Sequence, residues 1–134
     1  MTRPVRGILI DPFACTVSDV ELDASDSLNI CLLLSHDVHP VNSRALAHSP
    51  FLRVGEAIYV DDKGLLKSPV RFFNIAGRER PLAGKGLIVG TDKEGNTISA
   101  SSSLELIRAA VTFAEMRDGQ LIPTYAPWKG GEKV

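Results

Sequence analysis

The sequence predicts a single α+β domain: a mostly antiparallel sheet built from hairpins, packed by a C-terminal helix over 103–118 and a shorter helix near 26–35. Three observations carry this. Short apolar, β-branched runs are punctuated by Asp, Gly and Pro turn signals through most of the chain. Helical patterns come singly and do not alternate strictly with strands, which separates α+β from α/β. The 134 residues are the length of one domain, with room for one core.

Val5 to Ile10 is the first strand, closed by Asp11-Pro12 because proline cannot donate to a ladder and aspartate favours turns. Cys15 to Leu22 alternates apolar with polar residues and completes a hairpin. Its phase slips across Ser18-Asp19, the mark of a bulge. Ser25-Asp26-Ser27 supplies N-cap residues before the apolar run Leu28 to Leu34, so 26–35 reads as a helix. A buried strand has the same pattern over so short a run.

Val41 to Ala47 is a weak strand and Glu56 to Val60 a strong one. Asp61-Asp62-Lys63-Gly64 is a tight turn, from which Leu65 to Lys67 returns. Strands follow at Val70 to Ala76 and Gly86 to Thr91, and the turn Asp92 to Asn96 leads into Thr97 to Ala100. This amounts to about six to eight strands, a spread set by how loosely sequence defines strand ends.

The last helix is predicted from Ser102 and Glu105 as a capping box and Gly119 as its C-terminal glycine. Leu104, Ile107, Val111 and Ala114 fall opposite Glu105, Arg108, Thr112 and Glu115, and Leu106, Ala110 and Phe113 widen the apolar side. From Gln120 onward the chain carries Pro123, Pro127 and a Gly-Gly pair without periodicity. The expected organisation is a domain over 1–119 and a tail over 120–134.

Fifteen basic and sixteen acidic residues give a net charge of −1, which argues against an extended nucleic-acid surface while permitting a local basic patch. No apolar run approaches the ~20 residues of a membrane span. The apolar stretch Gly7 to Ile10 is shorter than the roughly 7–15 residues of a secretory leader, so a cytoplasmic location is expected. Cys15 and Cys31 fit that compartment as small core residues.

The stretch "GRERPLAGKGLIVGTDKEGN" over 77–96 pairs glycines with basic side chains and raises the question of a phosphate cradle. It is not a Walker A loop. Six residues separate Gly77 from Gly84, where that motif allows four, and Gly86 stands where its hydroxyl residue belongs. Two readings remain. Arg78, Arg80 and Lys85, with backbone amides near Gly84 and Gly86, can form an anion nest for a nucleotide or other small phosphorylated ligand. Alternatively the glycines only shape a solvated connection between strands.

His36, His39 and His48, with Cys15 or Cys31, lack the tight ligand spacing of a zinc site, and no metal or cofactor is expected. The pair Asp61-Asp62 is explained by turn chemistry. No nucleophile elbow or histidine with an evident serine or cysteine partner is present, so no catalytic residue is assigned. Tyr125 and Trp128, set among prolines, are partner-binding candidates, because aromatics are favoured at interfaces; folding back on the domain is the alternative.

Four segments in order, "RGILIDP", "IYVDDKGLLK" over 58–67, "FFNI" over 72–75 and "PLAGKGLIVGTD" over 81–92, resemble a domain-of-unknown-function family of small proteins carried by bacteria, their phages and plasmids. The likeness covers about residues 6 to 115. It implies no inherited activity. Its mobile-element setting implies an accessory role: modulating the host, evading defence or assisting plasmid maintenance. With no catalytic constellation among the residues, the expected function is a non-enzymatic accessory protein that binds a host macromolecule, such as a defence antagonist.

Overall fold

The computed structural model describes residues 3–26, 28–34, 43–46, 55–61, 70–76 and 80–125. β1 (Pro4–Asp11) and β2 (Thr16–Asp23) pair without interruption, from Pro4 opposite Asp23 to Asp11 opposite Thr16. The expected bulge at Ser18-Asp19 is therefore absent. The phase slip has another origin: Val17 belongs to one apolar layer, while Val20 and Leu22 belong to the other. A strand buried on both faces need not keep one polar side.

α1 (Leu28–Leu34) resolves the first ambiguity in favour of a helix. β3 (Ser43–Leu46), β4 (Glu56–Asp61), β5 (Arg71–Ile75), β6 (Leu82–Ala83), β7 (Gly86–Thr91) and β8 (Thr97–Ile98) follow. Then come α2 (Leu104–Ala110), β9 (Val111–Arg117) and β10 (Gln120–Thr124). The turn over 62–64 and its returning strand over 65–67 lie outside the described residues.

The strands form two antiparallel sheets where one was expected. The larger has the order β2-β1-β7-β4-β3, with β8 also on β7; the smaller has the order β10-β9-β5-β6. Ile8, Ile10, Ile58, Val60 and Ile88 leave one face of the larger sheet and meet Phe73, Ile75 and Leu82 of the smaller sheet, with Ile107 and Ala110 of α2. On the opposite face, Val5, Leu22, Leu87 and Val89 pack under Ile30 and Leu34 of α1. The larger sheet is covered on both sides, and Gly86 to Gly90 of β7 is buried throughout.

The predicted 103–118 helix is corrected by the structure: α2 ends at Ala110 and the chain continues as β9. Ala114, Glu115 and Met116 are helix formers by propensity, but partners decide otherwise. Val111, Phe113 and Glu115 pair with Ile75, Phe73 and Arg71, and the far edge of β9 takes β10. Asp118 and Gly119 have φ of 52° and 77°, so the glycine read as a helix cap sits in a two-residue primed hairpin turn. Residues 120–124, read as the start of a tail, form β10 instead. Leu106, expected on the apolar side, is exposed, whereas Ile107 and Ala110 are buried as predicted.

The capping box is also rearranged. Ser103 is the N-cap, accepting from Leu106 N, while Ser102 is fully buried and donates to Glu56 Oε1. Glu56 Oε2 accepts from both Ser101 N and Ser102 N at 2.8 Å. A buried carboxylate on β4 thus anchors the start of α2.

Candidate functional site

The glycine loop is held in place by the fold. Gly84 adopts φ +81°, and its amide donates to Arg71 O at 2.8 Å, joining the loop to β5. Gly86 pairs with Ile10 on one side and Val60 on the other. A Cβ there would lie 2.4 Å from Phe73 Cζ, so the position lets the two sheets approach. Lys85 lies 3.8 Å from Asp11 Oδ2, and both side chains are largely covered. Arg80 is exposed. Arg78 lies outside the described residues. Two of the groups invoked for an anion nest, the Gly84 amide and Lys85, are therefore engaged in packing the molecule.

A second region was only half seen in the sequence. A cleft of about 530 Å3 is lined by Cys15 from the β1–β2 turn, Val111 to Ala114 of β9, and Leu121, Pro123, Thr124 and Tyr125. Its size lies within the usual range of ligand pockets. Leu121 stands opposite Met116, and the two-residue period puts Pro123 and Tyr125 on the same face. Met116, Leu121 and Tyr125 are 49%, 43% and 90% exposed, an apolar strip on the hairpin's outward face. Tyr125, a sequence candidate, thus sits at the cleft. Trp128 lies outside the described residues.

Arg71 was not a sequence candidate. It is 3% exposed and shares the phase of Phe73 and Ile75, pointing its side of β5 into the interior. Its Nε is buried without a hydrogen-bond partner, and Nη2 donates only to Cys15 Sγ at 3.7 Å among the described contacts. The other arginines that reach into the fold are better served. Arg6 bonds Asp19 Oδ1, Ala100 O and Ser102 O, and Arg108 Nε donates to Val17 O at 2.9 Å. The signal was legible: a charged residue in register with two core positions.

The carboxylates with depressed pKa belong to surface turns. The Ser25 hydroxyl, then the Arg3 and Ser25 amides, hold Asp23 below its ordinary 3.8. The Asn96 amide, first among several donors, does the same for Asp92. His36, His39 and His48 lie outside the described residues. Among the described residues no group of three or more His, Cys, Asp or Glu is placed to hold a metal ion, and no helix is long and apolar enough to cross a membrane. No family model, curated protein or solved structure matches this chain.

Proposed function

We propose that this chain is a non-enzymatic accessory protein of a bacterial phage or plasmid that binds a host protein in the cytoplasm through the β9–β10 hairpin. The observation that carries the contact surface is the outward strip of Met116, Leu121 and Tyr125. Large apolar side chains gathered on one exposed face favour a partner over solvent. β10 is an edge strand, yet Pro123 removes an amide from it, which disfavours recognition by strand addition and leaves side chains to define the contact. A protein partner suits the charge better than nucleic acid. The chain is nearly neutral, and Arg117 beside the strip is paired with Glu115 at 2.7 Å. The mobile-element setting rests on the sequence resemblance alone.

The test compares proteins retained from bacterial lysate by the wild type, by Leu121→Ser with Tyr125→Ser, and by Arg80→Ala. The reading expects a defined partner that the hairpin variant loses and Arg80→Ala keeps. Loss with Arg80→Ala alone would instead favour a phosphorylated ligand at the 77–86 loop.

A further inference from the structure

The buried arginine and the cysteine in front of it have a chemistry of their own, independent of any protein docked on the outward strip. Arg71 carries a permanent charge at a position only 3% exposed. Its Nε has no hydrogen-bond partner, and among the described residues no carboxylate lies within ion-pair distance of it. Glu115, its cross-strand neighbour, is paired with Arg117 at 2.7 Å. Burying a guanidinium so poorly served is unfavourable, and an anionic acceptor would relieve it. Arg71 is closed to a free ligand, so such an acceptor must arrive on the thiol itself. Cys15 is partly exposed and belongs to the cleft wall. Its Sγ lies 3.7 Å from Arg71 Nη2 and 3.9 Å from Thr124 Oγ1. The register puts Arg71, Phe113 and Thr124 on one face of the smaller sheet, so thiol, hydroxyl and guanidinium meet on the same side. Asp11 Oδ1 accepts from the Phe13 and Ala14 amides and fixes the turn that presents Cys15. Cys31 belongs to α1, which packs on the opposite face of the larger sheet, out of reach of a disulfide.

We infer that Cys15 is an oxidation site for hydroperoxides, its oxidised sulfur held as an anion by Arg71 and Thr124. The sulfur attacks one oxygen of hydrogen peroxide: an S–O bond forms, the O–O bond breaks, and the departing hydroxide takes the thiol proton to leave as water. The sulfur gives up two electrons and the peroxide accepts them. A second peroxide converts this sulfenic acid to the sulfinic acid by the same exchange, and loss of its proton leaves a sulfinate. Nε and Nη2 form one edge of the planar guanidinium, the fork that suits a two-oxygen anion. The sulfinate oxygens accept from that edge and from the Thr124 hydroxyl. Oxidation thereby gives the buried charge a partner and fastens the β1–β2 turn to β5, so it tightens the fold.

The full chain is treated with hydrogen peroxide while the Arg71 Nε–Hε resonance and the melting temperature are followed. Peptide mapping separates Cys15 from Cys31 and from the methionines Met1 and Met116. The expected product carries two added oxygens on Cys15, shifts the Arg71 resonance and melts about 3 °C or more above the untreated chain. Cys15→Asp places a carboxylate where the sulfinate would stand. Cys15→Asn is its neutral counterpart, equally at ease at the φ of +53° found there. Without peroxide, Cys15→Asp is expected to melt above Cys15→Asn by a similar margin, and adding Arg71→Met to both should erase the difference. The inference is overturned if peroxide leaves Cys15 intact, or if the oxidised chain melts no higher or leaves the Arg71 resonance unmoved. Equal melting of the two Cys15 variants would overturn it too, as would a gap that persists with Arg71→Met. If the Arg71→Met chains do not fold, the oxidised chain and the two Cys15 variants, all retaining Arg71, decide the matter.

Discussion

β7 and the β9–β10 hairpin are both antiparallel and rich in apolar residues, yet they do opposite things. β7 lies at the centre of the larger sheet with Ile88 in one core and Leu87 and Val89 in the other. Its glycines occur where a side chain would collide: a Cβ at Gly86 meets the Phe73 ring, and one at Gly90 would lie 2.6 Å from Ser99 O. The hairpin keeps one side against β5 and turns Met116, Leu121 and Tyr125 outward. Glycines beside a lysine thus serve close packing, while the surface suited to contact is built from unremarkable strand residues. Residue type alone does not separate these roles; what each side chain meets does.

The widest separation between the two regions should come from Gly86→Ala. The new methyl cannot be accommodated without moving Phe73 or the paired strands, and overpacking of this kind costs roughly 1–3 kcal/mol or more. Denaturant unfolding should show the loss, and Phe73→Leu in the same chain should recover part of it. Equal stability of Gly86→Ala and wild type would remove the packing role assigned to the loop.

Glu56→Ala should come next. It leaves the Ser101 and Ser102 amides and the Ser102 hydroxyl without their carboxylate, in a buried setting. Hydrogen bonds to charged groups contribute roughly 1.5–3 kcal/mol each, so a loss of about 3 kcal/mol is expected. Glu56→Gln should lose less, since an amide oxygen can still face the two N–H groups.

On the hairpin, Leu121→Ser with Tyr125→Ser should change unfolding free energy by no more than about 0.5 kcal/mol per site, because both side chains are substantially exposed. A large destabilisation would mean that the strip belongs to the fold. The smallest effect concerns pH. Asp23 and Asp92 have depressed folded pKa, so their stabilisation is present above the ordinary value of 3.8 and is lost as pH falls through the folded values. Asp23→Asn should flatten that part of the melting-temperature profile by slightly lowering the neutral range, with the acid end nearly unchanged.

Most strands were legible because their signals are local: β1, β2, β4, β5 and β7 are short apolar runs bounded by turn residues. What failed did so for a nonlocal reason. The segment 111–117 carries helical periodicity and helix-forming residues, but Ile75, Phe73 and Arg71 offer a ladder that outweighs propensity. The clue was Asp118-Gly119, a hairpin turn that also resembles a helix end. Of the site, Tyr125 was visible as an aromatic among prolines. Arg71 left a partial signal in its phase with Phe73 and Ile75, but its burial and the partner its Nε lacks are set by the rest of the fold. The serine-carboxylate anchor was hidden too, because Glu56 and Ser102 are remote in sequence.

The central claim is that the glycine loop holds the two sheets together and does not cradle an anion. A backbone amide spectrum followed through additions of inorganic phosphate tests it most directly. The account predicts no shifts from Arg80 to Gly86, because the Gly84 amide and Lys85 are already engaged within the fold. Saturable phosphate-induced shifts across Arg80 to Gly86 would contradict it.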